Sequence, residues 1–197
     1  MSGAEKAGMP RLDAIRAMHH VAYRCRDAEQ TRWFYEDVLG LRLRAALEFS
    51  EISGTAVQRD YMHLFFEMSD GSFVAFFDDP EHAESAKFAH ADGFDRHLAL
   101  EAANETQQTQ WKQRLKAHGI KCIGPIDHDF VKSIYCYDPN GLQVELTVRS
   151  ERHDTILDHK QSIAHEQIRN WSEKTRARKV ALFGEQELDR REVPNWT

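Results

Sequence analysis

Apolar and polar positions alternate in short runs along most of the chain, and two segments of helical period interrupt them. His19-His20-Val21-Ala22-Tyr23-Arg24 reads as a strand. Asp27 can cap a helix with Gln30 as its capping-box partner. Trp33, Phe34, Tyr35 and Val38 then recur at helical spacing, and Gly40 ends the helix. Leu41 to Phe49 and Tyr61 to Glu67 read as strands separated by a polar loop from Ser50 to Asp60. Ser69-Asp70-Gly71 is a hairpin turn into a strand from Ser72 to Phe77. After a linker from Asp78 to Asp92 the same order begins again. Arg96 to Glu101 is a strand, Asn104 to His118 a helix ended by Gly119, and Ile120 to Gly124, Val131 to Tyr137 and Leu142 to Val148 are strands. Asp138-Pro139-Asn140-Gly141 turns between the last two.

The predicted order is therefore strand-helix-strand-strand-strand, twice. Residue identities support the repeat. His20-Val21-Ala22-Tyr23 matches His97-Leu98-Ala99-Leu100, and Gln30-Thr31-Arg32-Trp33 matches Gln108-Thr109-Gln110-Trp111. Leu39-Gly40-Leu41 matches His118-Gly119-Ile120, and Asp70-Gly71 matches Asn140-Gly141. The expected architecture is α+β. Two tandem βαβββ modules, residues 17–90 and 91–150, would form one cupped mixed sheet. An N-terminal arm (1–16) precedes them and a helical extension (151–197) follows. Ile156, Ile163, Ile168 and Trp171 have loose helical periodicity through about Arg178, as expected of a helix packed on the domain or on a second subunit.

Composition narrows the function. The chain has 197 residues, 41% hydrophobic and 29% charged, as in ordinary globular proteins. Its longest apolar runs, such as Phe73-Val74-Ala75-Phe76-Phe77, are far short of the roughly 20 residues that span a bilayer. No charged-then-apolar leader opens the chain, so neither secretion nor a membrane partner is expected. The net charge of -6 argues against nucleic acid as a partner. Cys25, Cys122 and Cys136 are widely spaced and lie in apolar segments, the pattern of reduced core thiols in a cytoplasmic protein. Histidine is the unusual count, at 11, and directs attention to metal binding.

Strand alternation sorts these histidines. Val21 and Tyr23 share one face of the first strand, and His20, Ala22 and Arg24 the other. Leu98 and Leu100 oppose His97, Ala99 and Glu101; Leu142, Val144, Leu146 and Val148 oppose Gln143, Glu145 and Thr147. Each strand thus has an apolar face for the helices and a small or polar face. A carboxylate on that second face is costly unless solvated or paired. His20, His97 and Glu145 make a 2-His-1-carboxylate set, which suits an octahedral metal with open positions, Fe(II) or Mn(II). By the repeat, Ala75 stands where the second module has Glu145, and Phe73 and Phe77 flank it as an aromatic substrate wall. His63 falls on an inner face with Phe65 and is a further candidate substrate contact.

These residues resemble the vicinal oxygen chelate superfamily over about His19 to Arg149. That superfamily includes glyoxalases, epimerases, fosfomycin and bleomycin resistance proteins and extradiol dioxygenases. One segment is more specific. Ile126-Asp127-His128, five residues, Ile134-Tyr135, two residues, Asp138-Pro139-Asn140-Gly141, three residues and Glu145 fit the type I extradiol dioxygenase signature. The resemblance implies Glu145 as an iron ligand, Tyr135 as a hydrogen-bond donor to substrate and His128 as a pocket residue. It also implies an upstream acid-base histidine, for which His82, His90 and His63 are candidates and His82 ranks first on spacing. Many type I enzymes carry two paired units, and this chain has one. The implied activity is Fe(II)-dependent cleavage of a catechol-type aromatic diol by O2, and a homo-oligomer is expected. The alternatives are a metal-dependent isomerase, epimerase or lyase of the glyoxalase type, and a non-enzymatic binding protein of the resistance type.

Overall fold

A computed structural model describes residues 13–191. Most of the arm expected over residues 1–16, and the end of the extension from 192, lie outside the described residues.

The first module runs β1 (His20–Cys25), α1 (Ala28–Arg32), β2 (Arg42–Glu51), β3 (Gln58–Glu67) and β4 (Phe73–Asp78). The second runs β5 (His97–Glu101), α2 (Glu105–Ala117), β6 (Ile123–Asp127), β7 (Val131–Tyr137) and β8 (Gln143–Arg149). The strand order is β1-β4-β3-β2 in one sheet and β5-β8-β7-β6 in the other. Hydrogen bonding closes within each module, so the strands form two four-stranded sheets instead of one continuous cup. In both sheets the first strand pairs parallel to the last, and the other pairs are antiparallel. β1 and β5 are therefore edge strands of corresponding sheets.

The first helix starts on the cap the sequence nominates, and the second is capped by Asn104, which the sequence reads as its first residue. Asp27 accepts from the Gln30 amide at 2.7 Å, and Asn104 from the Gln107 amide at 2.9 Å. After Arg32 the first helix continues as a π-helical stretch, Trp33–Val38, within which Phe34, Tyr35 and Val38 are buried. The apolar strand faces close over the helices in a single core. Cys25, Leu64, Phe66, Val74 and Phe76 of the first sheet meet Leu98, Leu100, Ile134, Cys136, Val144 and Leu146 of the second there. Burial raises the thiols of Cys25 and Cys136 to about 12, which makes them unreactive core groups.

Three boundaries differ from the sequence expectation. The loop predicted over Ser50–Asp60 shrinks because β2 and β3 extend toward each other. Phe49 stacks on Tyr61 at 5.1 Å, and the Ile52 amide bonds the Val57 carbonyl. The strand predicted at Ile120–Gly124 begins at Ile123 instead. Ile120 is spent on ending α2, its amide donating to the Leu115 carbonyl while its side chain packs on the core. The extension is α3 (His153–Phe183) followed by α4 (Glu185–Asp189), five residues longer than expected before its break. Within α3 only Ile156 and Thr175 are buried, while Ile168 and Trp171 are exposed, so most of the helix is not packed on the domain. Among the described residues no helix is long and apolar enough to cross a membrane.

The Asp138–Gly141 turn docks one module on the other. Asn140 Oδ1 accepts from the Arg26 amide at 2.8 Å, and its amide group donates to Thr31 Oγ1 at 3.2 Å. The Tyr35 hydroxyl donates to Asp138 at 3.1 Å. Gly141 has φ +74, and a Cβ there would overlap the Ala89 carbonyl oxygen and lie 2.7 Å from that of Phe88. Its repeat counterpart Gly71 has φ +83 but nothing within 4 Å. Gly71→Ala should therefore carry only the left-handed cost, about 1–2 kcal/mol. Gly141→Ala adds a backbone collision and should cost about 3 kcal/mol or more. Thermal melts of the two variants test this, and equal shifts would refute the steric argument.

Candidate metal and substrate site

The structure brings the second module's site residues together on the free face of their sheet. His97 opens β5, and Glu145 lies in β8 opposite Ala99 and Tyr135. The His97 Nε2 to Glu145 Oε2 distance is 3.6 Å. His97 Nδ1 lies 2.8 Å from the Gly93 carbonyl. A carbonyl only accepts, so Nδ1 carries the proton, and in the neutral ring Nε2 presents its lone pair toward Glu145. Tyr135 donates its hydroxyl proton to Glu145 Oε1 at 3.2 Å and lies 2.8 Å from His128 Nε2. One hydroxyl has one proton, so His128 donates to Tyr135 while Tyr135 donates to Glu145. Burial first, and then the neighbouring Glu145 carboxylate, raise the Tyr135 pKa, which keeps this hydroxyl protonated.

A cavity of about 750 Å³ opens over this row, lined by His90, Phe94, His97, Tyr135, Tyr137 and Glu145 among others. The His90 ring stacks on Tyr137 at 4.3 Å, and Phe94 is fully exposed at its rim. Phe94 falls between the linker and β5, in a stretch without periodicity that gives no sequence signal.

The first module carries the other half. His20 opens β1 beside Phe73 of β4, with its ring 5.7 Å from Phe65 and 6.4 Å from His63. His63 stacks on Phe77 at 3.8 Å. Burial, then the nearby His20, lower its pKa, and its Nε2 is buried without a hydrogen-bond partner among the described residues. The substrate-wall candidates Phe73, Phe77 and His63 thus do share one face with His20. His19, which the sequence reads as the start of this strand on the face opposite His20, precedes β1 by one residue. Its Nδ1 sits 2.9 Å from that of His20.

The two halves do not meet within the chain. Among the described residues no three His, Cys, Asp or Glu side chains converge as a metal site. The reason is the shared core. Trp111 of α2 donates to the Leu39 carbonyl behind α1 at 3.2 Å, and the Trp33 and His118 rings are 6.1 Å apart. The modules join through their helical faces, so both polar faces lie outside the joint. His82 is not near Tyr135 or Glu145 either. Its Nδ1 is 3.0 Å from Asp79 Oδ1, at the far end of the first module's face.

The donors present fit a divalent ion. His97 and Glu145 are oriented by Gly93 and Tyr135, and their spacing is close to the ~3 Å between adjacent ligands on an ion with bonds of ~2.1 Å. Nitrogen and carboxylate donors suit Fe(II) and Mn(II) alike.

Solved structures share this fold. A glyoxylase/bleomycin resistance protein/dioxygenase domain from Frankia sp. EAN1pec aligns with TM-score 0.57 and 14% identity, over 72% of this chain and 99% of its own. A variant of the fosfomycin resistance protein FosX from Listeria monocytogenes, complexed with Mn(II), aligns with TM-score 0.52 and 16% identity, over 72% and 99%. TnmS3, an antibiotic binding protein from Streptomyces sp. CB03234, aligns with TM-score 0.51 and 17% identity, over 71% and 100%. No curated protein matches the chain significantly. The family model Glyoxalase/Bleomycin resistance protein/Dioxygenase superfamily matches residues 17–146, which takes in both modules with His20, His97 and Glu145, and the chain belongs to that superfamily.

Proposed function

We propose that the protein is an Fe(II)-dependent extradiol dioxygenase, with Mn(II) as the other metal its donors suit, acting on a catechol-type diol with O2. The observation that carries this reading is the hydrogen-bonded row His128–Tyr135–Glu145, ending beside His97. A binding protein has no need of a proton-holding chain that terminates on a metal ligand. A glyoxalase-type isomerase needs a base on the opposite wall, and that position is Ala75, between Phe73 and Phe77.

His97 and Glu145 would hold the metal together with His20. Since His20 lies on the other module's free face, the proposal requires two copies. His97 and Glu145 of one copy would be completed by the partner's His20. Three observations support such a pairing: the half-sites look outward, β1 and β5 leave sheet edges unpaired among the described residues, and Phe94 is bare at the rim of the cavity. Two-fold symmetry generates two such sites per dimer.

When bound, the metal supplies the coordination that brings catecholate and O2 side by side. The residues do the rest. Phe73 and Phe77 present an apolar wall to the ring. Tyr135 holds a proton at its hydroxyl, where a substrate oxygen beside Glu145 can accept a hydrogen bond. His128 Nε2, behind that hydroxyl, replenishes or removes the proton. The buried unpaired thiols fit a reducing compartment such as the cytoplasm. Oxygen uptake by the Fe(II)-loaded, reduced protein with a panel of catechols tests the reading. About one O2 per ring and a coloured ring-opened product are expected. No uptake, together with turnover of a hemithioacetal, would replace it with the isomerase.

A further inference from the structure

The free face of the first module ends in a charged cluster for which metal binding supplies no role. Arg24 of β1 donates to Asp79 Oδ2 at 2.6 Å. Arg59 of β3 donates to the same oxygen through Nε at 2.8 Å and through Nη2. His82 takes the other oxygen of Asp79 at 3.0 Å. Asp79 is buried, with its side chain 3% exposed, while the arginines keep 31% and 24% of theirs exposed.

One carboxylate holding two guanidiniums leaves a surplus positive charge in a chain whose net charge is -6. Each guanidinium has five N–H donors, and among the described residues Asp79 is the sole hydrogen-bond acceptor of both. The surplus faces a cavity of about 430 Å³, whose remaining walls include Ala22, Ile52, Tyr61 and Phe77. Two neighbouring carboxylates have partners of their own. Glu84 pairs with Lys87, and Asp78 turns to the helix side, where it caps the Ala28 amide.

Arg24 and His20 lie on the same face of β1, four residues apart, or about 13 Å at strand rise. Ala22 lies between them, and in the paired strand Phe73, Ala75 and Phe77 run alongside. This face is a small-residue floor with aromatic flanks, a metal-ligand candidate at one end and an unsatisfied double guanidinium at the other.

We propose that Arg24 and Arg59, braced by Asp79, bind a carboxylate on the substrate. The substrate class is then a catechol bearing a carboxylate on a short side chain. Asp79 holds both guanidiniums in place before the ligand arrives, which lowers the ordering cost of binding. The inference rests on the dioxygenase reading for the diol end of the substrate, and on the arginine cluster alone for its carboxylate end.

Anaerobic titration calorimetry of the full-length, Fe(II)-loaded protein tests it with three compounds: a dihydroxyphenylpropanoate, its methyl ester, and phenylpropanoate without the diol. The acid should bind at least about ten-fold tighter than the ester, as for a charge-assisted bidentate contact. That advantage should shrink in high salt, and Arg59→Gln should abolish it while leaving ester affinity little changed. Equal affinities of acid and ester in the wild type would overturn the inference, as would an acid preference that Arg59→Gln leaves intact. If Arg59→Gln fails to fold, the wild-type salt dependence decides: an acid preference indifferent to salt rejects the arginine contact. Phenylpropanoate separates the two readings. If it binds with a salt-sensitive affinity and neither diol gains over it, the anion pocket stands and the catechol reading falls. If no acid binds, both fall.

Discussion

Mixing two inactive variants, His20→Ala and Glu145→Ala, in one cell should restore dioxygenase activity that neither has alone. Each substitution removes a proposed ligand, so each pure homodimer should lose most of its metal and its turnover by about a thousand-fold or more. In a mixed dimer one site receives both lesions. The other is built from the intact His20 of the Glu145→Ala chain and the intact His97 and Glu145 of the His20→Ala chain. With random pairing half of the dimers are mixed, so about a quarter of the wild-type sites should return. Metal content should recover in the same proportion. A site built within one chain predicts no recovery at all, because every chain then carries a lesion in its own site. Metal content at the wild-type level in either pure variant would remove that residue from the ligand set. The experiment reads the assembly and the ligands together, and the pattern of loss tells them apart.

The second large effect is expected at Tyr135. Its hydroxyl is the bridge between His128 at 2.8 Å and Glu145 at 3.2 Å. Tyr135→Phe deletes that one atom and keeps the ring in its place on β7, so packing should survive with a change of no more than about 1 kcal/mol. Metal content should hold, since the hydroxyl is not a proposed ligand. Turnover should fall by roughly ten- to a thousand-fold, the range for one positioned proton-transfer partner or donor. The raised Tyr135 pKa, caused first by burial and then by Glu145, means that the group lost is a neutral donor throughout the neutral pH range. The fall should therefore not be rescued by raising the pH through 8. If turnover and melting both stay near wild type while metal is retained, the hydroxyl only reaches solvent, and the row has no part in the reaction.

Much of this architecture was legible from local chemistry. Val21, Leu98 and Val144 alternate with His20, His97 and Glu145 at the period of a strand, which assigns the two faces of each of these strands from sequence. Asp27 is a short polar side chain preceding a helical run, and it does cap; Asn104, read as helical, caps the second helix. His128, Tyr135 and Glu145 were implied by the resemblance, and the pairing of Tyr135 with Glu145 across adjacent strands brings them into one row. The places where the reading slipped are those where tertiary contacts compete with pattern. Ile120 has the composition of a strand residue, yet α2 recruits its amide for its own end. Alternation puts His19 on the face opposite His20, but it precedes the first residue of β1, and its Nδ1 sits 2.9 Å from that of His20.

What alternation cannot supply is the relation of one sheet to another. It places His20 and His97 on equivalent faces of equivalent modules, and two modules can present those faces to each other or away from each other with the same local sequence. That choice is made by long-range contacts: the Trp111 donation to Leu39, the Tyr35 bond to Asp138, and the core that Phe76 and Ile134 share. Each is a contact between residues far apart in the chain, invisible to any periodicity. The Asp79 cluster has the same origin. Arg24, Arg59 and Asp79 come from β1, β3 and the segment after β4, and strand pairing places two guanidiniums on one buried carboxylate. The sequence by itself determined which residues can ligate, donate and pack, because those are properties of side-chain chemistry and strand period. The tertiary structure decided which of them meet, because that depends on which apolar faces bury each other.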